Sequence, residues 1–204
     1  MKLNYSYFHF DLEILKRLIN LAIPIIIESI IISLLLGILI NYALHLYAPP
    51  ITAYAYVLIF RVQLVVFTPI DGLSKGFYTI IGHLFGAGRF VKIKKTIKKF
   101  ILITFSIALA ISFLLIIFNG EIISIFTSEF IVMNEVKNIL IFVILYTILH
   151  SILHPAYYAF LGLGKSKYPL YFIIYDLIIF AVGLFIFNHT LQMGSFGVFL
   201  SLII

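Results

Sequence analysis

The stretch LINLAIPIIIESIIISLLLGILINYAL, residues 18–44, holds one charged side chain, Glu28. It exceeds the about 20 apolar residues that a helix needs to cross a bilayer's hydrocarbon core. A secretory signal has an apolar core of about 7–15 residues and a small-residue cleavage site, and neither is present. The run therefore predicts a retained transmembrane helix. Similar runs follow at residues 51–82, 100–118, 136–161 and 169–187, and a last one, 196–204, covers about 14 Å, roughly half a span.

Composition agrees with this reading. Of 204 residues, 63% are apolar and 11% charged, against about 45–50% and about a quarter in soluble domains. This excludes a soluble domain and a disordered chain. It also excludes a nucleic-acid binder, although the net charge is +6. There is no cysteine, so disulfides, thiolate catalysis and cysteine-bound metals are absent. Tryptophan is missing too, which leaves the 13 tyrosines to form the interfacial aromatic belt. The expectation is an all-α membrane protein with about six transmembrane helices, the last incomplete. Residues 1–17 form a cytoplasmic N-terminal segment and residues 18–204 a transmembrane helical lobe.

Loop charges orient it. Lys16 and Arg17 precede the first run. Arg89, Lys92, Lys94, Lys95, Lys98 and Lys99 separate the second and third, and Lys165 and Lys167 the fourth and fifth. The intervening connections carry almost no basic residues. Alternation of this kind places the N-terminus and both basic connections in the cytoplasm, where residues 89–99 meet anionic lipid. The protein is read as multi-pass in the cell membrane. Two glycosylation-type triplets, Asn4-Tyr5-Ser6 and Asn188-His189-Thr190, are read as chance matches.

Ionisable groups at membrane depth are costly and mark functional positions. Glu28 and Arg61 both fall roughly 15 Å deep, approached from opposite ends. They are read either as a structural ion pair or as part of a cation or proton site. Asp176 lies about 11 Å deep, and His150 and His154 share a helix face at the i, i+4 spacing near that level. This suggests either a proton-relaying Asp–His pair or a polar clasp between helices; a two-histidine metal site lacks a third ligand. Asp71 and Lys75 read as an i, i+4 surface pair close to the cytoplasmic interface. Gly72-Leu73-Ser74-Lys75-Gly76 matches the letters of a serine-nucleophile motif, although it lies in a helix rather than at a strand-turn-helix elbow. Pro24, Pro69 and Pro155 fall inside spans and permit bends.

Several short patterns occur in a defined order. They are Thr68-Pro69-Ile70-Asp71-Gly72, then Gly82-His83-Leu84-Phe85-Gly86-Ala87-Gly88-Arg89, then Ile125-Phe126-Thr127. Further on come Phe160-Leu161-Gly162-Leu163-Gly164-Lys165 and Gly194-Ser195-Phe196-Gly197. From about Leu15 onward this resembles one six-helix lobe of a multidrug and toxic compound extrusion (MATE) transporter, closer to the second lobe and to archaeal members. The resemblance implies two pseudo-symmetric lobes around a cleft, with alternating access driven by H⁺ or Na⁺ and export of small amphiphilic or cationic substrates. It implies a second lobe as partner, either a second copy or a separate chain, and no cofactor. Ion-coupling or substrate candidates are Glu28, Asn41, Arg61, His150 and Asp176. Pro69, Gly72, Gly86, Gly88, Gly162 and Gly164 are structural, serving close helix approach and loop turns. Competing readings are a flippase of lipid-linked precursors from the same superfamily, an inactive truncated remnant, and an intramembrane serine protease using Ser74 with His150 or His154.

Overall fold

In the computed structural model, residues 11–203 are described. The first helix, α1 (Leu12–Tyr47), starts where the Asp11 carboxylate caps it, accepting hydrogen bonds from the backbone N–H groups of Glu13 at 2.8 Å and Ile14 at 3.3 Å. It runs on as one apolar helix through a buried Pro24 and a π-helical stretch, Ile31–Leu36. Glu13, Lys16 and Arg17 thus sit on its first turns. Tyr5, Tyr7, Phe8 and the Asn4 triplet lie outside the described residues.

Pro49 and Pro50 set the corner to α2 (Pro50–Gly86), with Pro50 in the first turn, where its missing N–H costs nothing. After the Gly88 turn comes α3 (Phe90–Ile117), then a short α4 (Asn119–Ser124) and α5 (Phe130–Gly162). Next are α6 (Lys167–Thr190), ending in a π-helical stretch, and α7 (Ser195–Ile203). Five of these helices are long and apolar enough to cross a membrane. At 9 residues α7 covers about half a span, as expected.

One boundary differs in a way that matters. The basic segment 89–99, expected as a loop, is helical from Phe90 onward. Lysine is a good helix former and there is no glycine or proline between Gly88 and Gly120, so the third span extends into its basic flank. Gly88 makes the turn itself, with φ +67°, and Gly164 does the same before α6 with φ +70°.

The bundle is organised around α2 and α5, which run parallel. Thr52 in the first turn of α2 donates a 2.6 Å hydrogen bond to Glu135 near the start of α5. At the other end Gly162 rests against Tyr78 and Ile81. Between these points α2 buries Ala55, Ile59, Val62 and Val66 at helical spacing, and α5 buries Val132, Val136, Ile139 and Val143. Toward the Gly162 end the α5 seam turns small, through Thr147, Ser151 and Ala159. Small residues let the two backbones approach, the usual basis of helix packing where lipid removes the hydrophobic drive. The start of α3 is held there by Phe77 stacked on Phe100, with centroids 4.2 Å apart. The bundle exterior is apolar, as lipid contact requires.

Candidate functional site: a polar ladder between α2 and α5

The second half of α5 carries Tyr146, His150, His154, Tyr157 and Tyr158, spaced so that consecutive rings meet. Tyr146 stacks on His150 at 5.2 Å, His150 meets His154 at 4.9 Å, and His154 meets Tyr158 at 5.0 Å. Phe67 of α2 places its edge on His150 at 5.2 Å.

Below it on α2, Asp71 joins three partners. Lys75 Nζ is 2.7 Å from its carboxylate, the Tyr158 hydroxyl donates to it at 2.7 Å, and His154 Nε2 is 3.9 Å away. The expected Asp71–Lys75 pair therefore forms, with the lysine side chain 65% exposed. It is not an isolated surface pair, because α5 supplies two further polar groups against the same carboxylate. The Gly162 end of α5 is level with Tyr78 and Ile81, so Asp71 lies roughly 10–15 Å along the helix axis from that end.

The Ser74 hydroxyl donates to the Ile70 carbonyl at 2.7 Å and sits 3.3 Å from His154 Nδ1. Serine, histidine and aspartate are thus brought into one row. Ser74 is nevertheless fully buried between the helices with its hydroxyl engaged by its own helix, so no substrate carbonyl can reach it. The arrangement clasps α2 to α5.

Glu28 of α1 is only 3% exposed. Tyr157 is the polar neighbour of its carboxylate, yet Oε2 is buried without a hydrogen-bond partner. The expected ion pair with Arg61 is not formed, because Arg61 is exposed on α2. The two residues count to one depth along their helices, but the first half of α1 lies against α6. The expected Asp176–His150 pair is absent as well. Asp176 is exposed on α6 with Tyr146 as its electrostatic neighbour, while His150 points along the ladder. Asn41 is exposed and donates to its own helix at Gly37 O, 2.8 Å.

Among the structural positions, Gly162 makes a close approach: a Cβ there would lie 2.7 Å from the Tyr78 carbonyl oxygen. Gly88 and Gly164 make turns, whereas Gly72 and Gly86 have nothing within 4 Å of where a Cβ would be. Pro69 lies within α2, five residues before Ser74. Asn188 is buried against Gly197, so its triplet offers no accessible glycosylation site. Among the described residues, no group of three His, Asp or Glu comes together in a way that could hold a metal ion.

Five apolar spans and a parallel central helix pair define a polytopic helical membrane protein. The MatE family model matches residues 24–186, and the chain belongs to that family, the MATE transporters. Three solved structures show the same fold. One is the outward-facing conformation of a multidrug resistance MATE family transporter of the MOP superfamily, with 19% identity and a TM-score of 0.89. That match covers 99% of this chain and 45% of the other. A MOP superfamily transporter from Pyrococcus furiosus Vc1 gives 18% and 0.90, with 98% and 45% covered; its binding pocket is described as having reverse polarity suggesting a different function. MATE in complex with MaD3S gives 19% and 0.88, with 98% and 44% covered. The chain spans about half the length of these proteins. No curated protein matches the sequence.

Proposed function

We propose that this lobe forms one wall of a cation-coupled exporter of small cationic or amphiphilic molecules, alternating its access between two lobes. The observation that carries the proposal is Glu28. A carboxylate buried at membrane depth with an unpartnered oxygen costs several kcal/mol unless a cation or proton neutralises it. Binding H⁺ or Na⁺ there removes that cost, and releasing it restores the charge next to Tyr157 and the α5 ladder. Occupancy of Glu28 thereby biases how α1 sits against the bundle, which is what coupling requires. Asp176 adds a second carboxylate on an exposed face of α6, beside exposed Tyr175. An acidic, aromatic face of this kind suits an organic cation.

Orientation with the N-terminus in the cytoplasm is part of the proposal. The α2–α3 corner and the α5–α6 turn, which carry the basic residues, lie at the same end of the parallel α2–α5 pair. The partner is a second lobe, supplied by another copy or another polypeptide segment. Arg61, exposed within α2, favours the flippase reading; Glu28 and Asp176 weigh against it.

The test is efflux of a fluorescent cationic dye from proteoliposomes holding the assembled two-lobe exporter, with an imposed H⁺ or Na⁺ gradient. Glu28→Gln is expected to reduce gradient-driven efflux at least tenfold. Full gradient coupling in that variant sinks the proposal.

A further inference from the structure

The start of α3 carries a feature that lies outside the polar ladder and the Glu28 site. Between Arg89 and Lys99 the chain has six cations and no acid. Because this segment is helical, its residues separate onto two faces. Ile93 is buried and Phe100 stacks on Phe77, which seats one face against α2. The other face presents Phe90, Val91, Lys94, Lys95 and Lys98 around an open groove of about 380 Å³. Phe90 is 63% and Val91 74% exposed, so the basic cluster has apolar surface open directly beside it. Among the described residues, no carboxylate lies within ion-pair distance of these lysines.

The groove stands at the N-terminal end of a 28-residue helix long and apolar enough to cross a membrane, and the ends of such a helix reach the headgroup layer. Lysine stems lie along apolar surface while the ammonium groups reach the polar layer, and Phe90 and Val91 offer contact to glycerol and the upper acyl chain. We propose that this groove holds the headgroup of an anionic glycerophospholipid, with Lys94, Lys95 and Lys98 around the phosphate. The apolar half of the groove is what selects a lipid over a free phosphate ester. The site does not depend on the transport reading.

Native mass spectrometry of the purified full chain tests it, with phosphatidylglycerol, phosphatidylcholine and soluble glycerophosphate as probes. Wild type is expected to retain phosphatidylglycerol in strong preference to phosphatidylcholine and not to retain glycerophosphate. K94Q/K95Q/K98Q should lower phosphatidylglycerol retention by about fivefold per lysine removed. The control K165Q/K167Q, at the same end of the molecule, should leave retention intact. The single variants Lys94→Gln and Lys98→Gln, each losing about fivefold, decide the matter if the triple variant does not fold. Equal retention of the two lipids, glycerophosphate binding as well as the lipid does, an unaffected triple variant, unaffected single variants, or an equal loss in the control overturns the proposal.

Discussion

Tyr158 of α5 donates a 2.7 Å hydrogen bond to Asp71 of α2, and Lys75 holds the same carboxylate from one turn further along α2. The bond joins the two central helices at a point where the small seam of α5 has brought their backbones together. Tyr158→Phe should lower stability by about 1 kcal/mol, typical of side-chain bonds in membrane proteins. A double-mutant cycle with Asp71→Asn, read by reversible unfolding in detergent, measures the coupling. Additive effects would show that the bond contributes nothing.

Glu28 should show the opposite trade. Replacing a buried acid that lacks a full set of partners by an isosteric apolar residue removes a desolvation cost of about 1–3 kcal/mol. Glu28→Met is therefore expected to raise the thermal unfolding midpoint while abolishing coupling. A lowered midpoint would mean that the carboxylate is structurally satisfied.

Two glycines on the central pair should respond differently to the same change. Gly162→Ala pushes a Cβ against the Tyr78 carbonyl and the Ile81 side chain. It should destabilise the lobe by about 1–3 kcal/mol. Gly72→Ala meets nothing within 4 Å and gains helix propensity, up to about 1 kcal/mol. Melting curves of the two variants should move in opposite directions.

Asp176 is exposed on a helix that crosses the membrane, a position that lipid does not tolerate for a carboxylate. Asp176→Asn in the assembled exporter should flatten the pH dependence of efflux, since the asparagine amide does not titrate. A pH profile identical to wild type would exclude Asp176 from the coupling step.

The spans were legible because apolar length and loop charge are local properties of the chain. The sequence also singled out His150 and His154, since the i, i+4 spacing puts both on one helix face whatever that helix packs against. What each of them meets is another matter. Asp71 looked ordinary because its lysine partner is in its own helix, while Tyr158, its hydrogen-bond partner, is 87 residues away. The one available signal was its position inside a long apolar helix. Glu28 and Arg61 looked like partners because depth can be counted, whereas which helix lies beside α1 cannot.

Membership of the membrane and the five apolar spans follow from the amino-acid order alone, since water and lipid act on each segment separately. Which buried polar groups pair and which stay unpaired came from packing. The parallel contact of α2 with α5 and the lean of α1 toward α6 set those distances, and neither leaves a periodic trace in the chain. An unpartnered oxygen on Glu28 and a three-partner Asp71 are the result.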